Sequence, residues 1–407
     1  MPQQLPKPVR HLGWISFFTD IASEMVYPVV PLFLTAALGA PVAVLGLIEG
    51  VAEAIVSIMK GLSGWHSDKV GRRVPYIRLG YGLAALSKPL MALAYAWPMV
   101  FLARVVDRLG KGLRTTARDA MIADAVDGTI AGRAFGFHRM MDTSGAIVGV
   151  LFALLLLKYL PGGYRLIFLI AGVPGLAAVW LTFRLRELRR EGADVQGCPA
   201  SPVEDAPRAP APASGLMGFS PAYWLTLNLL MLFAFANSSD TLLLLRAKNL
   251  GWNDTQVILG YLLFNLTYAA SAYPLGVLSD RIGRWRMLIT GWAVYSAVYF
   301  GFSVSDGQSV WWLFPLYGLS MGLTEGVGKA LISGHVPALR KGTALGVFHM
   351  SLGFTALASS VVAGLLWDHV SPSAPFRLGG AVALAAVAAA VILAPRLKKA
   401  AGAVNGA

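Results

Sequence analysis

Twelve runs of apolar residues, each long enough to cross a bilayer, succeed one another along this chain of 407 residues. They are centred near Phe18, Ala54, Ala85, Val106, Gly145, Ala171, Leu232, Leu262, Ala293, Leu319, Thr355 and Ala385. A helix needs roughly 20 apolar residues to span the hydrocarbon core. Lipid offers the backbone no hydrogen bonds, so only helices or closed barrels are viable there. The runs are too long and too continuous for the alternating strands of a barrel. Only 14% of the residues are charged, against about 25% in a soluble domain. The pattern predicts an all-α integral membrane protein with twelve transmembrane helices.

The chain also repeats itself. Gly64-Trp65-His66-Ser67-Asp68-Lys69-Val70-Gly71-Arg72-Arg73 returns 212 positions later as Gly276-Val277-Leu278-Ser279-Asp280-Arg281-Ile282-Gly283-Arg284-Trp285. Gly132-Arg133-Ala134-Phe135-Gly136 pairs with Gly342-Thr343-Ala344-Leu345-Gly346 at an offset of 210, and Gly110-Lys111-Gly112 with Gly328-Lys329-Ala330 at 218. Duplicated sets of apolar segments joined by short basic loops point to a transporter with its site between two halves. The halves are 1–186 and 219–407, each a six-helix bundle, joined by a polar, Pro- and Ala-rich cytoplasmic linker over 187–218.

The net charge of +13 orients the protein and implies no nucleic acid. Of the 34 Lys and Arg, 22 fall on the side of the termini and the linker, five on the other side, and seven inside predicted spans. The positive-inside rule therefore places both termini in the cytoplasm. The single cysteine, Cys198, can make neither an intramolecular disulfide nor a metal site. The first run follows Lys7 and Arg10 but is too long for a signal peptide, and reads as a retained helix.

Charges inside a membrane are costly, about 2.5–3.5 kcal/mol each on insertion scales, so each needs a reason. The first run carries Asp20, Glu24 and Tyr27 on one face, just before the Tyr27-Pro28 kink. The second carries Glu49, Glu53 and Lys60. The fourth carries Arg104, Arg108 and Lys111 on one stripe, with Asp107 beside it. The fifth carries His138, Arg139 and Asp142, with His138, Asp142, Gly145 and Gly149 on one face. Acidic faces on the first two helices and a basic face on the fourth invite pairing across a polar cavity. Structural ion pairs within the first bundle would explain the same residues.

In the second half, Asn237-Ser238-Ser239-Asp240 falls on helix seven, and Glu325 and Lys329 stand one turn apart on helix ten. That spacing is the usual one for a self-neutralising pair. The repeat places Glu53 opposite Asn265 and Asp107 opposite Glu325, so the charges of helix two have no counterpart in the second half. Such asymmetry suggests that the first half carries ion or proton coupling while the second shapes the site. No clustered metal ligands, phosphate cradle or paired catalytic motif stands out, so neither metal nor cofactor nor enzymatic chemistry is expected.

The loop Gly64-x-x-x-Asp68-x-x-Gly71-Arg72-Arg73, and its copy at Gly276, Asp280, Gly283 and Arg284, resemble the signature loop of the major facilitator superfamily and its degenerate second copy. Phe17-Phe18-Thr19-Asp20-Ile21-Ala22-Ser23-Glu24-Met25-Val26-Tyr27-Pro28, Asp107-Arg108-Leu109-Gly110-Lys111-Gly112-Leu113-Arg114 and Ala117-Arg118-Asp119-Ala120 are similar to a bacterial branch of that family with scattered assignments to efflux of drugs or metals. The resemblance implies a pseudo-two-fold pair of six-helix bundles, a rocker-switch cycle, and a cytoplasmic charge lock. Asp68 and Arg72 would form that lock, with Arg108 and neighbouring helix ends as partners. Val150 after Gly149 departs from the Gly-Pro of the helix-five antiporter signature.

These readings predict a monomeric secondary transporter that moves a small solute by alternating access with protons as the coupling ion. Asp20, Glu24, Glu49, Glu53 and Asp142 are the coupling candidates. Tyr27, Arg104, Arg108, His138, Arg139, Asn237, Asp240, Asn265, Glu325 and Lys329 are the cavity candidates. Gly64, Asp68, Gly71, Arg72, Arg73, Asp280, Gly283 and Arg284 form the lock. Export of a divalent cation through the same carboxylates, and a non-transporting membrane sensor or scaffold, are the rival readings.

Overall fold

The computed structural model describes residues 5–40, 42–160, 162–188, 218–238 and 240–405. Cys198 and most of the predicted linker lie outside the described residues, as do Ser239 and the side chain of Glu49. The described chain is helical throughout, with no strand. Its helices are α1 (Lys7–Val26), α2 (Val29–Leu32), α3 (Val42–Val70), α4 (Val74–Ala92), α5 (Trp97–Asp124), α6 (Ala131–Tyr159), α7 (Tyr164–Thr182), α8 (Pro221–Ala236), α9 (Thr241–Asn249), α10 (Asp254–Ile282), α11 (Arg284–Val304), α12 (Val310–Gly334), α13 (Lys341–His369) and α14 (Ala374–Asn405).

Each of the twelve predicted runs coincides with one of these helices. The segments are more numerous because the first and seventh runs are each broken in two. Pro28 and Pro31 remove two backbone donors. α1 accordingly stops at Val26, and the chain resumes as α2 followed by a π-helical turn at Phe33–Ala37. The second break is not proline-driven. Asn237 leaves helical geometry at φ −86°, ψ 83°, so Asn237, Ser238 and Asp240 form an interruption between α8 and α9, where the sequence predicted continuous helix. Tyrosines take up groups at this break. Tyr295 donates to the Ala236 carbonyl at 3.0 Å, and Tyr317 donates to Asp240 Oδ1 at 2.6 Å. Interrupted helices are tolerated at membrane depth only where protein or a cavity satisfies the freed backbone.

The duplication is exact in topology. α1 packs on α6 and α7, α5 on α3 and α4, and α4 on α7. The second bundle repeats every pairing: α8 on α13 and α14, α12 on α10 and α11, and α11 on α14. The bundles meet through α6 against α10 and α3 against α13, two contacts that exchange under the same pseudo-two-fold. Outer faces carry exposed Leu151, Leu155, Val173, Leu176, Phe354, Leu357 and Val361, an apolar surface far larger than a soluble protein shows. Five helical stretches, 128–159, 164–182, 284–304, 341–369 and 374–397, are apolar and long enough to cross a membrane on composition alone. The other long helices include α1, α3, α5, α10 and α12, and α1, α3, α5 and α12 carry charged residues that line an interior cavity.

Candidate functional site

The bundles are sealed together at the end that bears the termini, and the seal has two matching halves. Asp68, at the end of α3, accepts from Thr343 N (2.5 Å), Thr343 Oγ1 (2.7 Å) and Gly342 N (3.2 Å), the first residues of α13. Asp280, at the end of α10, accepts from Arg133 N (2.8 Å) and Gly132 N (2.9 Å), the first residues of α6. Each carboxylate thus meets the free N–H groups and positive dipole end of a helix in the opposite bundle. Gly71 and Gly283 follow with φ of +72° and +100°, a region that disfavours side chains. A Cβ on Gly132 would collide with Ser279 and the Gly276 backbone, and one on Gly64 with the Gly342 backbone. The second repeated motif, Gly132–Gly136 and Gly342–Gly346, therefore supplies the partner of the first, a role the sequence alone left unassigned.

Two lock assignments need correction. The guanidinium on Asp68 belongs to Arg73 (2.5 Å), which also reaches Asp124 (3.5 Å), whereas Arg72 is exposed. In the second half Arg284, the counterpart of Arg72, takes the role and lies 3.5 Å from Asp280. Arg108 is not a lock partner. It stands inside the first bundle beside Asp107, at 3.8 Å.

Between the bundles lies a cavity of about 580 Å³. Asp20, Glu24, Glu53, Lys60, Lys111, Arg114, Arg118, Arg139 and Asp142 line it from the first bundle. The second bundle contributes Phe233, Tyr261, Phe264, Tyr268, Trp292 and Phe348, together with Asn237, Asp240, Asn265, Glu325, Lys329 and His349. A second chamber of about 260 Å³ opens among α1, α3, α4 and α5. It shares Asp20, Glu24, Glu53, Lys111 and Arg114 with the first and adds Tyr27, Lys88, Arg104, Asp107 and Arg108. The acidic face of α1 and the basic stripe of α5 thus confront each other across polar space. Within the chamber Lys88 Nζ pairs with Asp107 at 2.7 Å.

Close helix packing explains the most compact acidic group. Cβ atoms on Gly145 and Gly149 would strike the carbonyls of Phe17 and Ile21, so only glycine lets α6 lie this close on α1. That approach brings Asp142 to Ser16 and Asp20. Ser16 Oγ donates to Asp142 Oδ1 at 2.7 Å, and Arg139 Nη1 donates to Asp142 Oδ2 at 2.6 Å. Asp20 and Asp142 line the same cavity. Two carboxylates sharing one site disfavour double ionisation.

Charge also crosses between the bundles. Arg139 pairs with Glu325, which accepts from the Tyr268 hydroxyl as well. Asp119, fully buried, meets Lys329 at 3.0 Å and His349 Nε2 at 2.9 Å from the second bundle, and Arg118 at 3.0 Å from its own. Glu325 and Lys329 therefore do not neutralise each other as their spacing suggested. Each pairs with the opposite bundle. His138 is buried but does not line the cavity, and its Nε2 has no hydrogen-bond partner among the described residues. Arg114, Arg118, Asp119 and His349 stand outside the candidate set drawn from the sequence, although the first three lie in its family-like segments. The signal was present: α5 runs to Asp124, and Arg118 continues the stripe of Arg104, Arg108 and Lys111 at helical spacing. Among the described residues no group of three or more His, Cys, Asp or Glu is disposed to hold a metal ion.

Comparison with known proteins agrees with this architecture. The sequence model described as Major Facilitator Superfamily matches residues 12–245 and 227–407. An uncharacterized MFS-type transporter of Methanocaldococcus jannaschii is 33% identical over 396 residues, 94% of each chain. Multidrug resistance protein MdtH of Photorhabdus laumondii is 29% identical over 157 residues, 38% of each chain. Among solved structures, the E. coli fucose:proton symporter FucP superposes with a TM-score of 0.78 at 13% identity, covering 96% of this chain and 99% of that one. A structure of FucP in its outward conformation gives 0.79 with the same coverage. Two bundles related helix by helix, sealed by the repeated Asp motif and matched along nearly their whole length, make the chain a member of the major facilitator superfamily of membrane transporters, not an enzyme.

Proposed function

We propose that the protein is a proton-coupled secondary transporter of a small organic solute, working as a monomer by alternating access in a bacterial-type inner membrane. The sealed end, which bears the termini, is the cytoplasmic one, so the described conformation is outward-facing. The observation that carries the coupling is that Asp20 and Asp142 line one cavity, with Asp142 tied through Arg139 to Glu325 of the opposite bundle.

Opening the cytoplasmic side separates the bundles and must break Arg139–Glu325 and Lys329–Asp119. Arg139 is then free to change its hold on Asp142. A carboxyl group whose cationic and carboxyl neighbours change binds a proton with a different affinity. The pair therefore exchanges a proton with one side in one state and the other side in the next. Glu24 and Glu53 share the cavity and remain secondary candidates, and Arg114, Arg118 and Lys111 face the pair from α5. FucP, the structural neighbour, is named as a proton symporter, which supports the same coupling here.

The test uses proteoliposomes and a solute selected by thermal stabilisation of the purified protein, since a ligand of the native state raises apparent stability. Asp20→Asn and Asp142→Asn should abolish accumulation or efflux driven by a pH gradient and retain downhill exchange. Full gradient-driven transport by both folded variants would overturn the assignment.

A further inference from the structure

The chamber inside the first bundle shares Asp20 with that coupling scheme, but its basic residues Lys88, Arg104 and Arg108 take no part in it. Its lining counts five basic side chains against four carboxylates. One of the four, Asp107, pairs with Lys88 at 2.7 Å and lies 3.8 Å from Arg108. Arg114 is 5% exposed and lies with its guanidinium 4.5 Å from the centroid of the Tyr81 ring. Its Nε and Nη1 have no hydrogen-bond partner among the described residues, nor has Nε of Arg108. A ring face satisfies the charge of a guanidinium but none of its N–H groups. Buried donors left unpaired are costly, and the planar fork they form matches an oxyanion.

We infer that this chamber is the head-group subsite of the transport cavity, and that Arg108, Lys111 and Arg114 bind the carboxylate or phosphate head of an organic anion there. The chamber and the main cavity adjoin, since Lys111 and Arg114 line both. The far wall of the main cavity is aromatic, with Phe233 stacked on Trp292 at 4.9 Å and 14°. A solute with an anionic head and a flat apolar body fits the two regions together. The inference rests on the transporter reading above and names its substrate class.

Purified protein in detergent tests it, with phenylacetate, phenyl phosphate, phenethylamine and phenethyl alcohol as probes at constant ionic strength. Saturable thermal stabilisation is expected from at least one of the two anions and from neither the amine nor the alcohol. Which anion acts distinguishes a carboxylate head from a phosphate head. Arg114→Gln should weaken the half-saturating concentration about tenfold or more, the size of one lost charge-assisted hydrogen bond. Arg108→Gln and Lys111→Gln, made at less buried positions, should do the same if Arg114→Gln does not fold. Stabilisation by the amine or alcohol alone, no stabilisation by either anion, or equal anion binding in the folded variants would overturn the inference. The two proposals fail separately. Proton-driven transport of a neutral or cationic solute sinks the anion subsite and leaves the coupling pair, whereas anion binding without proton-driven transport does the reverse.

Discussion

The two bundles repeat one another helix for helix, yet they face the cavity with different chemistry. The first presents carboxylates and cations from α1, α3, α5 and α6. The second presents Phe233, Phe264, Tyr268 and Trp292 beside fewer charges, Asp240, Glu325 and Lys329, with Tyr295 stacked on Tyr299 and Tyr317 donating to Asp240. The seal shows the opposite behaviour, for Asp68 and Asp280 perform the same task on each side. A seal between two like halves needs an acceptor and a helix end from both, so duplication preserves it. A cavity needs each kind of contact once, so one half can gather charge while the other supplies apolar surface. Intramembrane charge is costly, so the charged wall takes its counter-ions from its own bundle, as in Lys88–Asp107, or from the opposite one, as in Arg139–Glu325 and Asp119–Lys329.

The largest effect should come from the charged wall. Asp142→Asn is expected to reduce gradient-driven transport to background, while Asp240→Asn, in the aromatic wall, retains coupling and alters the concentration needed for half-maximal transport. Equal loss of coupling in both, measured in proteoliposomes under an imposed pH gradient, would erase the division between the bundles.

The seal should respond next, and unevenly. Arg73→Ala removes a buried guanidinium from Asp68 and Asp124, with a hydrogen bond to a charged partner contributing about 1.5–3 kcal/mol. The variant should open the terminus-bearing end more often, read as faster maleimide labelling of a cysteine introduced at Ser67. Arg72→Ala, at an exposed position, should stay near the parent rate. Faster labelling in Arg72→Ala than in Arg73→Ala would restore the assignment suggested by the family motif.

Within the interface, Gly132→Leu should shift the protein away from the sealed state more than Gly172→Leu, since a Cβ at Gly132 meets the opposite bundle and one at Gly172 meets nothing within 4 Å. The same labelling assay checks this. The smallest effect is expected at the break of the seventh run. Tyr317→Phe deletes a hydrogen bond to Asp240, and such bonds within membranes average about 0.6 kcal/mol. A modest fall in thermal stability with coupling intact is expected. Loss of coupling in Tyr317→Phe would move the proton pathway into the second bundle.

Much of this arrangement was legible beforehand. Apolar runs located the helices, and Gly145 and Gly149 shared the face of Asp142, the face along which α6 proves to lie close on α1. The stripe of Arg104, Arg108 and Lys111 announced a basic surface, and helical spacing would have extended it to Arg118. What misled was local pairing. Glu325 and Lys329 are one turn apart, and Asp68 stands four residues from Arg72, yet both acids chose other partners. Spacing along a helix says which groups can meet, and burial against a neighbouring bundle decides which do.

By itself the sequence determined a membrane protein of twelve apolar runs in two related halves, because bilayer thickness and backbone hydrogen bonding leave few alternatives to apolar helices of that length. It also identified the repeated Asp and Gly motifs. Only the tertiary structure decided that each Asp seats on the helix end of the other half's second motif, that Asp20 and Asp142 line one cavity, and that Asp119 gathers Lys329 and His349 across the interface. Those arrangements join residues more than a hundred positions apart. Their geometry depends on how closely whole helices approach, a quantity no local pattern of residues contains.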